Sequence, residues 1–360
     1  MNHYCTFFDR GYLIPGLALW RSLAAQDQDA VLWVLALDDF TTAVLRETGG
    51  TWLRVVPLAE LESADPELAA AKSNRTLAEY YFTLQACWPR WLLAREPGID
   101  RVTAIDADLF FFESPASVFE AMDVAGASVL VTPHGFPAWL RHYERHGKFN
   151  AGFVSFRRDA IGLACLDDWR KRCLVWCHDR VEGGKYASQR YLDEWPARLG
   201  SAVLVSAHPG VNFAPWNWAT HPTSVGRGPA ARVEIAGSPL VAFHFARFRP
   251  IYGTWWWQSG QLDYGVMPRR LRGAIYGRYW QALVAARDEL QARRPELDFH
   301  HRTARLRRGF WRDLPLRIAF GTDWLRVSDA FVSGRLGLGR FSGRTLAVLR
   351  RIVRGSEPTA

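Results

Sequence analysis

The segment Arg101-Val102-Thr103-Ala104-Ile105-Asp106-Ala107-Asp108-Leu109-Phe110-Phe111-Phe112 sets two carboxylates one residue apart at the end of an apolar run. Residues 102–105 read as a buried strand that stops at the acids, and Ala107 between them is small enough for both carboxylates to turn toward one cation. Ligands of open α/β sheets gather at strand carboxyl ends, which is where this pair falls. An isolated Asp-x-Asp more often serves as a turn or a helix cap. Here three consecutive Phe residues return the chain to the core directly after the acids. Two carboxylates beside such a core need a cation or a basic partner.

Outward from this segment, strands and helices alternate. Residues 3–8 and 31–37 read as strands joined by an amphipathic helix over 12–25, with Pro15 tolerated in its first turn. A short strand over 53–58 and a helix over 76–94 lead to the acidic strand, as in a parallel sheet. After residue 128 the order loosens: strands at 128–132, 149–156, 202–207 and 240–245 alternate with helices near Pro137, Ala160 and after Tyr186. The expected class is α/β, with a mixed, mostly parallel sheet flanked by helices. Gly226-Arg227-Gly228-Pro229 marks the clearest loop of the second half.

The 360 residues, 49% hydrophobic and 14% aromatic, suffice for one large or two ordinary domains. No apolar run reaches the roughly 20 residues of a membrane-spanning helix, and the N-terminus has no basic start or small-residue cleavage site, so a cytoplasmic location is expected. The odd set of five cysteines fits a reducing compartment, with Cys5, Cys87 and Cys165 as small core residues. Cys173, Cys177 and His178 have ligand character, but without a second Cys/His pair nearby they read as helix packing. The net charge of +9 is concentrated: residues 302–354 hold thirteen Arg against Asp313, Asp323 and Asp329, which leaves the rest near neutral. Phe310, Trp311, Leu314, Leu316, Ile318, Phe320, Trp324 and Leu325 lie between these arginines, a pattern suited to a helix on an anionic membrane face or to a solvated helical subdomain. Nucleic acid is the competing polyanion and is not expected as a partner. A division at residue 270 follows, with halves 1–115 and 116–270 in the body and a basic, mainly helical region over 271–360.

Five short motifs occur in a telling order: Thr6-Phe7-Phe8-Asp9-Arg10-Gly11-Tyr12, Ile105-Asp106-Ala107-Asp108, Phe149-Asn150-Ala151-Gly152, Ser188-Gln189-Arg190-Tyr191-Leu192, and Phe243-His244-Phe245 before Arg249-Pro250. Together they resemble the motifs of family 8 glycosyltransferases, enzymes of the Rossmann-like GT-A fold, over residues 1 to about 255. Tyr80-Tyr81-Phe82, residues 164–180 and His208-Pro209-Gly210-Val211-Asn212-Phe213 are similar to a bacterial branch of sugar transferases associated with cell-surface polysaccharide synthesis.

The resemblance implies that Asp106, Asp108 and His244 bind Mn²⁺ or Mg²⁺, which bridges the diphosphate of a nucleotide sugar, expected to be a UDP-hexose. It implies nucleotide contacts from Phe7, Asp9 and Tyr12. From the residues alone, Phe7 also reads as core and Asp9 as a helix cap. Asn150 falls where the family contacts the donor sugar, Gly152 where backbone approaches closely, and Gln189 opposite the anomeric carbon, with transfer expected to retain configuration. Two positions depart from the family. Ser188 stands where Asp is usual, and Asp193 or Glu194 would compensate only if turned inward. Arg247 stands where the family tends to place Gly, and Arg247 or Arg249 would serve as a pyrophosphate clamp.

For the acceptor, a glycan or a lipid-linked glycan at the inner membrane face, Trp216, Trp218, Trp255, Trp256 and Trp257 offer stacking faces, and Asn212 and Asn217 offer amides. Two other classes compete: a sugar nucleotidyltransferase, which would open with a Gly-rich phosphate loop that residues 5–20 lack, and a non-catalytic nucleotide-sugar- or glycan-binding protein with a degenerate site.

Overall fold

The computed structural model describes residues 1–228, 231–252, 256–295 and 324–325. The chain divides into two compact units, residues 1–245 with 267–286, and residues 246–266 with 287–360. The boundary expected at 270 therefore falls inside a segment that belongs to the first unit.

The first unit is α/β. In chain order its strands are β1 (Asn2–Phe8), β2 (Ala30–Ala36), β3 (Leu53–Pro57), β4 (Arg101–Ile105), β5 (Leu109–Phe111), β6 (Val129–Pro133), β7 (Phe149–Arg157), β8 (Val203–Val205), β9 (Thr223–Val225), β10 (Val233–Ile235), β11 (Ser238–Pro239) and β12 (Ala242–His244). Seven of these form one sheet in the order β3-β2-β1-β4-β7-β6-β8. All its neighbours run parallel except β7, which is antiparallel to both β4 and β6. That is the mixed, mostly parallel sheet expected. The near-continuous apolar composition of β2 (Ala-Val-Leu-Trp-Val-Leu-Ala) suits a strand covered on both faces.

The helices pack on this sheet: α1 (Leu13–Gln26), α2 (Asp39–Thr48), α3 (Leu58–Ala64), α4 (Pro66–Ala71), α5 (Leu77–Arg95), α6 (Ala116–Val124), α7 (Ala160–Val175) and α8 (Trp195–Leu199). Their starts are written locally. Thr76 and Glu79 close a capping box at α5, and Asp38 and Asp159 cap α2 and α7. Close packing fixes two glycines. A Cβ on Gly16 of α1 would meet the Phe8 ring at 2.4 Å, and one on Gly162 of α7 would meet the Arg157 carbonyl at 2.3 Å. Phe156, Trp169 and Trp195 interlock in the core between α7 and the sheet.

Three regions differ from expectation. The segment near Pro137 and that after Tyr186 are 3₁₀ helices, Ala138–His146 and Gln189–Glu194. The hairpin sheet β11-β10-β9 was not expected, although the loop at Gly226–Gly228 falls between its strands β9 and β10. Among the described residues the longest helix runs Arg269–Arg293. In the second unit, Arg249–Tyr252, Trp256–Gln258 and Trp324–Leu325 form an antiparallel sheet, so the two described residues of the basic stretch are strand, not helix. The rest of residues 302–354, and Trp255, lie outside the described residues. No helix among the described residues is long and apolar enough to cross a membrane.

Candidate functional site

Asp106 follows the last residue of β4, and its backbone N–H donates to the Gly152 carbonyl of β7 at 3.1 Å. The chain turns at buried Ala107 and enters β5, which pairs antiparallel with β12 so that His244 lies opposite Leu109. The Phe245 N–H then donates to the Asp108 carbonyl at 2.8 Å, and the Phe112 N–H to the Val241 carbonyl at 2.8 Å. This small two-stranded sheet ties an imidazole from residue 244 to acids at 106 and 108. Phe110, Phe111 and Phe112 are buried, as their sequence predicted.

The His244 Nε2 lies 3.1 Å from Asp108 Oδ1 and 3.6 Å from Asp106 Oδ2. Ligand atoms of the three residues lie within 4.8 Å of one another, the arrangement a single cation needs, and among the described residues no other group of His, Cys, Asp and Glu does this. Cys173, Cys177 and His178 form no such group: both cysteines are buried in the core, and the imidazole pairs with Glu79 at 3.2 Å. Burial pushes the Asp106 carboxyl upward, opposed by His244 and reinforced by Asp108. Burial pulls His244 down, but the charge and hydrogen bond of Asp108, with Asp106 behind it, outweigh that and raise it. Two carboxylates and one imidazole, once the imidazole gives up its Nε2 proton, are a donor set for Mn²⁺ or Mg²⁺.

The other nitrogen of the imidazole is occupied. His244 Nδ1 is 3.1 Å from the Oδ1 of Asn212, whose side-chain nitrogen donates to Thr132 Oγ1 at 3.0 Å and to Asn150 Oδ1 at 2.9 Å. An accepting amide oxygen there puts the proton on Nδ1 and leaves the Nε2 lone pair facing the acids. Asn212 is fully buried and adopts φ 54°, a left-handed backbone that Asn tolerates. Asn217 likewise spends its amide internally, on the Ala214 N–H and the His134 carbonyl. Neither amide is left for an acceptor. Trp216 stands edge-on to His244 with ring centres 5.1 Å apart.

Asn150 and Gln189 meet. The Asn150 amide donates to Gln189 Oε1 at 3.1 Å and accepts from the Gly152 N–H at 2.9 Å, and Gln189 Nε2 donates to the His146 carbonyl at 3.0 Å. Gly152 proves necessary for a reason internal to the protein: a Cβ there would lie 2.6 Å from Asn150 Oδ1, 2.7 Å from Asp106 Oδ2 and 2.8 Å from His244 Cε1.

Ser188 is buried, and its hydroxyl donates to Gln85 Oε1, while Gln85 Nε2 donates to Asp106 Oδ1 at 3.1 Å. Gln85, from α5, thus links the position where a carboxylate was expected to the acidic pair. Sequence reasoning passed over it, because a Gln on a helix with no motif around it carries no signal. Asp193 and Glu194 do not compensate for Ser188. Asp193 accepts from the Lys148 N–H at 2.7 Å, and Glu194 pairs with Arg172 at 2.8 Å.

Asp9 caps the turn at Arg10–Tyr12 by accepting from the Gly11 N–H at 2.8 Å, and it also accepts from the Tyr81 hydroxyl at 3.3 Å. It lies just past β1, whose pairing with β4 brings Phe7, Asp9 and Tyr12 to the same sheet edge as Asp106. Tyr12 is 46% exposed. In the second unit, Arg247 donates to Asp263 and lies over the Tyr264 ring, and Arg249 opens its sheet.

No protein-family model matches the chain. It is 34% identical over 251 residues to the uncharacterized protein YfnF of Bacillus subtilis strain 168, covering 68% of this chain and 81% of that protein. The chain belongs to the family of YfnF. Another uncharacterized protein of the same organism, YfnD, is 30% identical over 249 residues, covering 68% of this chain and 78% of YfnD. Among solved structures, the galactosyltransferase LgtC, in complex with donor and acceptor sugar analogs, shares 15% identity at a TM-score of 0.48, over 79% of this chain and 95% of its own. Mouse xyloside xylosyltransferase 1 shares 14% at 0.39, over 59% and 87%. Likeness at that level assigns no activity to the YfnF family.

Proposed function

We propose that the protein is a GT-A-type glycosyltransferase that moves a hexose from a nucleotide sugar, a UDP-sugar first among the candidates, to a glycan or lipid-linked acceptor. The observation that carries this reading is the convergence of Asp106, Asp108 and His244 Nε2 at the carboxyl edge of a mixed parallel sheet. When bound, a divalent ion would neutralise charge on a departing nucleoside diphosphate. The protein's own residues do the rest. Asn212 holds the imidazole tautomer, Gln85 holds Asp106, and Asn150 and Gln189 brace each other beside the acids. Phe7, Asp9 and Tyr12 border the same edge and are proposed to take the nucleoside, with Tyr81 orienting Asp9. Among the described residues no carboxylate hydrogen-bonds Gln189, and its neighbours Ser188 and Gln85 are neutral, which fits transfer with retention by attack on the face of departure. A cytoplasmic site on the inner membrane face is proposed as the place of action.

Release of nucleoside diphosphate from a panel of nucleotide sugars, with and without Mn²⁺, tests the assignment. Metal-dependent release from one sugar nucleotide, lost in Asp106→Asn, is expected. Metal-independent release, or release unchanged in that variant, refutes it.

A further inference from the structure

Away from the acidic pair, the first unit contains a groove of about 730 Å³ between the β9–β10 loop and the helix Arg269–Arg293. Its lining includes the guanidinium side chains of Arg227, Arg269, Arg270 and Arg278, and not one carboxylate. Among the described residues none of the four is paired with an acid. Arg270 instead donates to the Gly226 carbonyl at 3.0 Å, bracing one wall, and Arg278 lies over the Phe112 ring at 4.8 Å.

Like charges gathered this way repel, and the position makes the repulsion worse. Arg269 and Arg270 are the first two residues of a 25-residue helix, where the helix dipole already presents positive charge and disfavours cations. Burial, with Arg269 close by, also holds the Arg272 guanidinium below its ordinary value. An anion in the groove would relieve the repulsion among the lining guanidinium groups.

The floor is open as well. Gly273 is the fifth residue of that helix, where Gly costs about 1 kcal/mol relative to Ala. No packing demands it, since a Cβ there would meet nothing within 4 Å. The same holds for Gly228, at φ 91°. The helix's other face carries Tyr276 and Tyr279 against Phe243 and Phe245, which flank His244, so one helix serves both the groove and the acidic site.

We infer that this groove is a second, metal-independent anion site, which takes a phosphate or diphosphate ester through the Arg227, Arg269 and Arg278 guanidinium groups. The planar forks suit phosphate oxygens, and the bare glycine floor admits the group against the helix backbone. This goes beyond the transferase reading and does not depend on it.

The test uses the full chain in EDTA, which removes any contribution of the acidic pair. Calorimetric titration with inorganic pyrophosphate should show one saturable site, weakened at least tenfold by Arg227→Ser/Arg269→Ser. The same loss is expected in Gly273→Glu, a substitution that adds a good helix former into open space and leaves folding intact, checked by its Tm. Flotation with phosphatidylcholine vesicles, with and without phosphatidic acid, identifies the source of the phosphate. If the variants lose binding to phosphatidic acid as well, a lipid headgroup occupies the groove; if only pyrophosphate binding falls, a soluble phosphate does. Absence of saturable pyrophosphate binding, or an affinity within twofold of wild type in both variants, overturns the inference.

Discussion

Replacing Gly152 with alanine adds one methyl group at the centre of the acidic site. Its Cβ would stand 2.6 Å from Asn150 Oδ1, 2.7 Å from Asp106 Oδ2 and 2.8 Å from His244 Cε1, closer than side-chain carbons pack. Relieving three such contacts means moving each group by roughly half an ångström, more than the ~0.2 Å tolerance of a metal–ligand bond. The backbone of Gly152 is not in the left-handed region, so the penalty is steric and local. Overpacking of this kind costs folding about 1–3 kcal/mol. The larger effect falls on the cation, because disturbing the groups that orient ligands weakens metal binding about 10- to 100-fold. Mn²⁺ titration of wild type and Gly152→Ala by calorimetry, with thermal melts alongside, measures both. A folded variant that binds Mn²⁺ within threefold of wild type would refute the argument that Gly152 exists to make room for these three side chains.

Asn212→Leu should leave the imidazole untethered and leave Asn150 and Thr132 without their shared donor, lowering Mn²⁺ affinity by about 10-fold or more; an unchanged affinity contradicts the tautomer assignment. Burial, with His244 beside it, holds His134 down at about 3, whereas an unfolded His titrates near 6.5. The unfolded chain therefore binds a proton that the folded chain refuses, and stability falls as pH drops below 6.5, by up to about 1.4 kcal/mol per unit from this group. His134→Phe should flatten that slope between pH 6 and 5 in denaturant melts, and an equal slope in both proteins counts against it. Gly16→Ala, which drives a methyl into the Phe8 ring, should lower stability by about 1–3 kcal/mol; an unaltered Tm would show that α1 can move off the sheet.

The frame of the first unit was legible because its signals are local. The apolar run before Asp106, the βαβ opening and the helix from residue 76 each depend on neighbours in sequence, and each formed where expected. His244 was reachable through motif order, and β5–β12 pairing explains why it arrives beside the acids. What stayed hidden is long-range. The contact of Gln85 with Ser188 joins residues 103 apart, and that of Asn212 with His244 joins residues 32 apart, with Asn212 in a left-handed backbone. Asp9 reads equally well as cap or contact in sequence, and in the structure its two oxygens divide between a cap and Tyr81. The β9–β11 hairpin sheet lacks a strong alternation in its short strands, so only its turns were visible.

The central claim, that Asp106, Asp108 and His244 hold a cation that in turn holds a nucleoside diphosphate, is tested most directly by binding. UDP, GDP, CDP and dTDP are titrated into the purified protein by calorimetry, with Mn²⁺ and with EDTA, and the best case is repeated with Asp108→Ala. The account predicts that one nucleotide binds only with Mn²⁺ and that Asp108→Ala abolishes this binding. Binding that is equal in EDTA, or that survives the substitution, or no binding to any of the four, would contradict it.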